Sequence, residues 1–331
     1  MRLDPSQVRS ILVVRLDRMG DLLCTTPMLS AIKHLFPQAR LTLVVSPYTV
    51  HLVEGSPLVD EVLVYPRKKY GGTLKERLDF LRELSFGGFD LAFGPKASLH
   101  PTQALLVGLS GAKMRVGREA KYFKRRFLHF CYNVRLPRAV PGRHETESCL
   151  DLLRALGLNP PRLPSWARIR PQFYRQVEEE LCRRGLRGRP LVGIYFSNRK
   201  RRRAVPWELL CELMGRIKEA LPSYEVLATF APEDAKEIRR HLAGGHLFPT
   251  DDVQQLGALI SFLDFFVTSD GGPSHLSAAV GTKTITLFRG GEEQLRTWAP
   301  WGEGHLSLLV DGSPPREIIS RILSFMKGSA V

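Results

Sequence analysis

Short runs of apolar residues alternate along this chain with longer segments whose apolar positions recur at helical spacing. A continuous apolar run of about four to eight residues predicts a strand buried on both faces, and the longer recurrence predicts a helix with one buried face. The predicted strands of the first half lie at residues 11–14, 41–45, 61–65 and 89–93. The alternation indicates an α/β fold with a doubly wound parallel sheet and helices on both faces.

The alternation restarts after a proline-rich stretch at residues 159–164. The predicted strands of the second half lie at residues 191–196, 224–230, 263–268 and 284–288. Because proline clusters break helices and sheets, we predict two Rossmann-like domains, residues 1–160 and 161–331, with a final helix over 315–326 that could return to the first domain. Ligands of such sheets bind beyond the carboxyl ends of the strands, so we expect the two domains to face a central cleft.

A glycine-rich stretch at residues 269–281 lies between a predicted strand and a predicted helix. It begins with Ser269, Asp270, Gly271, Gly272, Pro273, Ser274 and His275. Backbone N–H groups and the positive end of a helix attract anions at such a turn, and proline suits the first helical turn. The pattern indicates a phosphate or nucleotide site, and an ordinary connection with His275 in the core is the alternative.

The net charge of the chain indicates which partners it attracts. Lysine and arginine number 48 against 33 acidic residues, a net charge of +15 that favours phosphorylated substrates, anionic membrane surfaces or nucleic acid as partners. The five cysteines contain no CxxC pair, which argues against a disulfide framework or a zinc site and favours a reducing cytosol. No signal peptide and no apolar run of roughly 20 residues is evident, so we expect the protein to touch a membrane without crossing it.

Three polar positions that follow predicted strands are candidates for chemistry. Asp21 follows Gly20 at the first strand-to-helix turn, where it could meet a substrate or cap the helix. Five consecutive cations at residues 199–203 favour phosphate binding, with nucleic-acid binding as the competing interpretation. Glu233 could bind ribose hydroxyls or cap a helix.

Residues 111–143 form a basic and aromatic segment. Its cations include Lys113, Arg115, Arg118, Lys121, Lys124, Arg125, Arg126 and Arg138, and its interleaved aromatic residues are Tyr122, Phe123, Phe127 and Phe130. Such a segment is a solvated face or a surface for an acidic acceptor or an anionic membrane, and the sequence leaves these interpretations open.

Several motifs occur in an order that resembles glycosyltransferase family 9, the ADP-heptose:lipopolysaccharide heptosyltransferases. They are ILVVRLDRMGD at residues 11–21, Thr25-Thr26-Pro27, RHE at residues 143–145, LLRALG at residues 152–157, DGGPSHLSAAVGT at residues 270–282 and RTWAP at residues 296–300. The motifs span nearly the whole chain, and their order is far more specific than a single glycine motif. The resemblance implies a GT-B fold, in which the first Rossmann-like domain binds the acceptor and the second binds the nucleotide-sugar donor.

The resemblance also implies roles for individual residues. Asp21 is the expected general base for the acceptor hydroxyl, and Arg203 is expected to neutralise the donor diphosphate. The other expected donor-binding residues are Ser197, Glu233, Asp270, Gly271, Gly272, Ser274 and His275. The expected acceptor-binding residues are Lys113, Arg115, Arg118, Lys121, Arg143 and His144.

The implied reaction is an inverting transfer of a heptose-type sugar from a nucleotide diphosphate, expected to be ADP-heptose, to a lipopolysaccharide inner core or a related anionic glycan. We expect no metal and no cofactor besides this co-substrate, because arginines and helix N–H groups can stabilise a departing diphosphate. The expected location is cytoplasmic, peripheral at the inner face of the inner membrane, with no nucleic-acid partner.

Three departures from the family pattern leave alternatives open. Asp270-Gly271-Gly272 replaces the usual Asp-Thr/Ser-Gly, Arg203-Ala204-Val205-Pro206 replaces Lys-Arg-Trp-Pro, and the strand near residues 89–94 lacks a polar ending. The alternatives are a family 9 transferase with another nucleotide-sugar donor and a GT-B nucleotide-sugar epimerase. Outside enzymes, the alternative is a basic nucleic-acid-binding protein, for which no recognised reading module is present.

Overall fold

A computed structural model describes residues 3–242 and 246–329. The chain divides into two compact units, Met1–Arg168 and Ile169–Val331. The boundary falls a few residues beyond the predicted one, because Trp166 donates its backbone N–H to Thr26 Oγ1 (2.9 Å) and its indole N–H to Ser30 Oγ (3.0 Å). These bonds hold the stretch that follows the prolines on the first unit.

Unit 1 is a six-stranded parallel sheet with helices. Its strands are β1 (Ser10–Arg15), β2 (Arg40–Val45), β3 (Glu61–Val64), β4 (Leu91–Phe93), β5 (Met114–Arg118) and β6 (Val134–Leu136), and its helices are α1 (Met19–Leu23), α2 (Thr26–Leu35), α3 (Leu74–Ser85), α4 (Pro101–Gly108) and α5 (Glu145–Arg154). The strand order is β3-β2-β1-β4-β5-β6. The winding therefore reverses between β1 and β4, and the loops after these two strands form what we term the first switch point, where doubly wound sheets bind ligands.

Unit 2 repeats this topology. Its strands are β7 (Leu191–Tyr195), β8 (Glu225–Phe230), β9 (His246–Pro249), β10 (Phe265–Ser269), β11 (Lys283–Phe288) and β12 (Leu306–Leu309), and its helices are α6 (Pro171–Arg183), α7 (Trp207–Ala220), α8 (Ala235–His241), α9 (Val253–Ser261), α10 (Gly272–Ala279), α11 (Gly291–Trp298) and α12 (Pro315–Ser329). The order is β12-β11-β10-β7-β8-β9, again parallel. The loops after β7 and β10 form the second switch point.

The strands that the apolar runs predicted are mostly the central ones, which are buried along their length. Four strands, each only partly buried, lacked that signal: β5, β6, β9 and β12. Three of these four are edge strands of their sheets. A continuous apolar run thus identifies the middle of each sheet and misses most of its rim.

Two helical features qualify the sequence pattern. The helical sequence after β1 is divided into α1 and α2, and Pro27 lies in the first turn of α2, where its missing N–H costs nothing. The final helix, α12, packs on unit 2 rather than returning to unit 1. Ile318, Ile319 and Ile322 are buried in the same apolar core as Leu213 of α7.

No helix in the described ranges is both long and apolar enough to cross a membrane. Within the same ranges, no group of three or more His, Cys, Asp and Glu side chains is placed to hold a metal ion. The five cysteines are free thiols, of which Cys24, Cys131 and Cys149 are buried.

Candidate functional site

A buried arginine gathers three carboxylates at the first switch point. Arg15 ends β1, and its side chain has no solvent exposure. Its Nη2 lies 3.1 Å from Asp21 Oδ1 and 2.7 Å from Glu145 Oε1. Its Nε lies 3.4 Å from Asp17 Oδ2, and Asp17 also pairs with Lys96 from the loop after β4. We term these five residues the carboxylate cluster.

The cluster keeps its buried charges ionised. Burial alone would lower the pKa of Arg15, but its three carboxylate partners outweigh burial and raise that pKa. Burial alone would raise the pKa of Asp17, but the positive charges of Arg15 and Lys96 outweigh it and lower that pKa. Three carboxylates face two cations, so the ionised cluster has an excess of negative charge.

Asp21 has the most accessible carboxylate of the cluster, with 21% of its side chain exposed against 18% for Asp17 and 4% for Glu145. Its Oδ2 accepts the backbone N–H of Arg18 (3.3 Å), so the residue also caps α1. The helix-cap and functional interpretations of Asp21 are therefore compatible. A carboxylate held on one side by a buried arginine and open on the other can accept a proton from a bound hydroxyl.

A second arginine and carboxylate meet at the second switch point. Asp270 follows β10 and is 2% exposed, and its Oδ2 lies 2.7 Å from Arg203 Nη1. Gln294 Nε2 donates to the same oxygen, and Asn198 Nδ2 donates to the Asp270 carbonyl (3.1 Å). Burial raises the pKa of Asp270, and the charge of Arg203 opposes that rise without cancelling it. We term these four residues the Asp270 cluster.

Helix α10 begins beside the Asp270 cluster. Gly271 precedes it in an extended conformation (φ 171°), which any residue adopts, and a Cβ at Gly271 would find its nearest neighbour, Pro273 Cδ, at an ordinary 3.6 Å. Ser274 Oγ donates to the Gly271 carbonyl (2.8 Å) and closes the first turn. His275 is buried with its ring edge-on to Trp298 at 6.0 Å between centroids, so it occupies the core position that the alternative interpretation described.

The remaining predicted donor residues lie at the carboxyl ends of β7, β8 and β10. Ser197 is buried; its Oγ accepts the backbone N–H of Ala231 (2.9 Å) and donates to the carboxylate of Asp234. This serine therefore connects the loops after β7 and β8. The Glu233 side chain is exposed, and Gly272 is the first residue of α10.

The family model for glycosyltransferase family 9 (heptosyltransferase) matches residues 77–315, well over half of the chain. The chain belongs to glycosyltransferase family 9. It is therefore a glycosyltransferase. The match contains Glu145, Lys96 and the Asp270 cluster but begins after Asp21, so the role of that carboxylate depends on the geometry around Arg15.

Similar proteins support the assignment of this family 9 enzyme. Lipopolysaccharide heptosyltransferase 3 from Escherichia coli K12 is 25% identical over 306 residues, covering 86% of this chain and 83% of the relative. A family 9 glycosyltransferase structure from Veillonella parvula has a TM-score of 0.85 at 15% identity, over 99% of this chain and 98% of that one. E. coli ADP-heptose heptosyltransferase II has a TM-score of 0.72 at 17% identity, over 97% and 100% of the two chains. These structural matches confirm the predicted GT-B fold.

The predicted acceptor-binding arginines of β5 are engaged inside unit 1. Arg118 is 5% exposed and donates to the carbonyls of Pro137 (2.8 Å) and Ser148 (2.9 Å). Arg115 donates through Nε to the carbonyl of Cys131 (3.1 Å). The expectation of a surface cation is wrong for Arg118, because its guanidinium satisfies buried carbonyl groups and stabilises the interior.

The other predicted acceptor residues are nearer the surface. Lys113 pairs with Asp90 (2.8 Å) and Arg143 with Asp151 (2.6 Å). His144 caps α5, where its Nδ1 accepts the backbone N–H of Thr146. Lys121 is exposed above the ring of Tyr122.

The sequence did not indicate which residues orient these groups, although Glu145 lies in the RHE motif. Glu145 pairs with Arg15 across 130 positions, and no local spacing shows such a contact. Lys96 meets Asp17 because β4 lies beside β1 in the sheet. Gln294 of α11 donates to Asp270 because α11 follows β11, which lies beside β10 in the sheet. A signal for all three exists only once the strand order is known.

Proposed function

We propose that the enzyme transfers a heptose-type sugar, with inversion, from ADP-heptose to the inner core of lipopolysaccharide or a related anionic glycan. Its similarity to lipopolysaccharide heptosyltransferase 3 supports this acceptor class. E. coli heptosyltransferase WaaC, solved with ADP and with ADP-2-deoxy-2-fluoro heptose, has TM-scores of 0.68 and 0.69 and supports this donor class.

In the proposed reaction, Asp21 accepts the proton of the acceptor hydroxyl, and the freed oxygen forms the new bond to the anomeric carbon. A general base must be correctly oriented. Arg15 orients Asp21 through the contact of its Nη2 with Asp21 Oδ1 at 3.1 Å. Glu145 Oε1 lies 2.7 Å from the same Nη2. In the proposal, Glu145 holds Arg15 in position and does not contact the substrate.

The bond between the anomeric carbon and the diphosphate breaks with its electron pair on the leaving group, which requires positive charge nearby. Arg203 is 18% exposed and follows four other cations, and α10 begins close to its partner Asp270. Because burial raises the pKa of Asp270, the donor diphosphate competes with a weakened carboxylate for Arg203. Cations and helix N–H groups supply this stabilisation in the proposed reaction without a metal.

The observation that carries the proposal is the buried Arg15 that orients a partly exposed Asp21 in a family 9 chain. The test incubates the purified enzyme with ADP-heptose and a heptose-deficient lipopolysaccharide core, and measures released ADP and the mass of the product. We expect ADP and a glycan that is heavier by one heptose. Conversion of the donor to an isomer without an acceptor would instead support the epimerase.

Donor choice is tested separately, because the Gly271 and Ala204-Val205 departures lie beside the proposed donor site. A thermal-shift series with ADP-, GDP- and UDP-sugars should show the largest stabilisation with ADP-heptose, since a ligand stabilises the folded state according to its affinity and concentration. A larger shift with another nucleotide-sugar would reassign the donor and leave the transferase chemistry in place.

The place of action follows from the proposed acceptor. An inner-core precursor is linked to lipid, so the proposal places the enzyme as a peripheral protein at the cytoplasmic face of the inner membrane. The net charge of +15 supports attraction to that anionic surface.

A further inference from the structure

The exposed large apolar side chains of the described residues all belong to unit 1. Four of them are aromatic and lie close together in the chain: Tyr122 (49% exposed), Phe123 (81%), Phe127 (71%) and Phe130 (65%). Single exposed apolar residues are common on proteins, but a group of large aromatic rings marks a binding surface.

The exposure of these rings is built into the fold. They lie on and beside a 3-10 helix, Phe123–Cys131, whose Leu128 and Cys131 are buried in the core of unit 1. A Cβ at Gly108 of α4 would lie only 2.9 Å from Cys131 Cβ, so this glycine permits the close approach of α4 and the segment. The inner face of the segment is packed, and the rings therefore point outward from an anchored element.

The charges of the segment complement an anionic surface. Residues 120–144 contain no Asp or Glu, and within the described residues Lys121, Lys124, Arg125 and Arg126 form no ion pair. Arg126 Cζ lies 5.2 Å from the centroid of the Phe123 ring, and Arg125 Cζ lies 5.5 Å from that of Tyr122. Cations without carboxylate partners beside exposed rings match lipid phosphates above an apolar layer.

We infer that residues 121–130 are a docking surface for an anionic phospholipid bilayer, with the aromatic rings inserted at the headgroup level and the cations bound to lipid phosphates. A purely anionic ligand would use the cations but would leave the rings in water. The neighbouring α4 packs against the segment, and Leu105 on α4 and Leu109 at its C-terminal end are exposed, which adds to the apolar character of unit 1 near the segment. A bilayer accommodates all of these groups.

The docking surface is connected to the carboxylate cluster through α4. The segment packs against α4, whose Gln103 Nε2 donates to the carbonyl of Val14 (2.6 Å), the residue before Arg15. Docking would therefore place the membrane beside a helix that contacts the strand bearing Arg15. The delivery of a lipid-linked acceptor rests on the proposed function, whereas the docking itself does not.

Sedimentation of the full chain with vesicles tests the docking without donor or acceptor. Vesicles of phosphatidylcholine with about one third phosphatidylglycerol should bind the protein at least about tenfold more strongly than pure phosphatidylcholine vesicles, and high salt should reverse most of the difference. Equal binding to both vesicle types, or no binding to either, would overturn the inference.

Two triple variants separate the contributions of rings and charges. Phe123→Ser/Phe127→Ser/Phe130→Ser and Lys124→Gln/Arg125→Gln/Arg126→Gln should each lower vesicle binding by about tenfold or more. The matched controls remove accessible groups elsewhere. They are the apolar triple Leu74→Ser/Leu78→Ser/Phe86→Ser on and beside α3, whose side chains are 64%, 57% and 79% exposed, and the charge triple Lys236→Gln/Arg239→Gln/Arg240→Gln on α8. Both controls should bind like the parent protein.

Phe123→Trp reports insertion directly. Because the chain already contains four tryptophans, the emission is compared with that of the parent. The emission added by Phe123→Trp should be quenched by brominated lipids in anionic vesicles, whereas the emission added by Phe86→Trp should not. Parent-like vesicle binding by the aromatic triple would reduce the surface to a patch for anionic ligands and overturn the inference. A dimer in sedimentation velocity that dissociates in the aromatic triple variant would also overturn the inference, because the rings would then bind a second copy of the chain. If the parent protein binds vesicles but transfers no sugar, the proposed function is contradicted and the docking inference is not.

Discussion

The two switch points use the same pair of residue types in opposite ways. At the first, Arg15 is fully buried and its partner Asp21 is 21% exposed. At the second, Asp270 is 2% exposed and its partner Arg203 is 18% exposed. The buried ion is a cation in unit 1 and an anion in unit 2. A buried cation presents carboxylates that can accept a proton, whereas a buried anion presents cations that can bind a phosphate.

The surroundings of each pair extend this difference. Arg15 has two further carboxylate partners, Asp17 and Glu145, so negative charge collects around it. Arg203 ends a run of five cations. The same topology therefore carries a candidate base in unit 1 and a candidate donor-diphosphate site in unit 2. The two units have the same strand order, and they differ in the residues of the loops that follow the strands.

The largest expected effect comes from removing the buried cation. Arg15→Met leaves three carboxylates without their shared partner, and breaking a buried ion pair in this way costs about 3–5 kcal/mol in the free energy of unfolding. Urea denaturation measures it. Arg40→Met removes an exposed pairing with Glu61 and should cost less than about 1 kcal/mol. Equal losses in the two variants would contradict the contrast between buried and exposed cations.

Removing Arg203, the partly exposed cation of unit 2, should weaken donor binding. Arg203→Met should weaken ADP-heptose binding by roughly ten- to a hundredfold, since it deletes a charge-assisted contact to the diphosphate. Isothermal titration calorimetry measures the Kd. Arg202→Met removes an exposed neighbour and should weaken binding less. An unchanged Kd in Arg203→Met would remove this residue from the donor site.

Two aspartates, the half-buried Asp17 and the buried Asp270, should respond to acid in opposite directions. Asp17 has a lowered pKa in the folded state, so its stabilisation is present above the unfolded pKa of about 4 and is lost as the pH falls towards the folded value. Asp270 has a raised pKa, so the folded state binds its proton more tightly and stability falls as the pH rises towards the folded value. The window of Asp17 lies below the unfolded pKa, and the window of Asp270 lies above it.

Urea denaturation midpoints measured between roughly pH 3 and pH 6, on both sides of the unfolded pKa, test both pH dependences. Asp17→Asn should flatten the rise of stability with pH, because it removes a group that contributes to that rise. Asp270→Asn should make the rise steeper, because it removes a group that opposes it. The same change of slope in both variants would contradict the assignment.

The smallest expected effect concerns Gly271. Gly271→Ser should change the free energy of unfolding by no more than about 0.5 kcal/mol, because the backbone is extended and a Cβ fits at 3.6 Å from its nearest neighbour. Gly117→Ser is the contrasting variant, since its Cβ would lie 2.4 Å from the Tyr132 ring and should destabilise unit 1. Thermal denaturation compares them. A large loss in Gly271→Ser would mean that the turn requires glycine.

The sequence predicted the parts of this molecule that depend on local pattern. Strands such as β1 and β10 are buried on both faces and therefore read as continuous apolar runs. Strand β5 was missed because Arg115 and Arg118 interrupt the run, and their guanidinium groups donate to main-chain carbonyls that no pattern reveals. The domain boundary shifted because Trp166 bonds to α2, which is also a tertiary contact.

The candidate site also has a part that the sequence predicted and a part that depends on tertiary contacts. Asp21, Arg203 and Asp270 follow strands in recognisable motifs, so their positions could be predicted. The inversion of buried and exposed charge could not, because it depends on partners such as Glu145 and Gln294 that are distant in the chain. Burial of a charge is a property of the packed fold.

The most direct test of the central claim is steady-state sugar transfer by Asp21→Asn, with ADP-heptose affinity measured on the same preparation. The amide keeps the shape of the side chain but cannot accept the proton, so kcat should fall by about 10²–10⁴-fold. Donor affinity should stay within about twofold, because the proposed donor site belongs to unit 2. Retained turnover, or loss of donor binding in step with turnover, would contradict the assignment of Asp21 as the base.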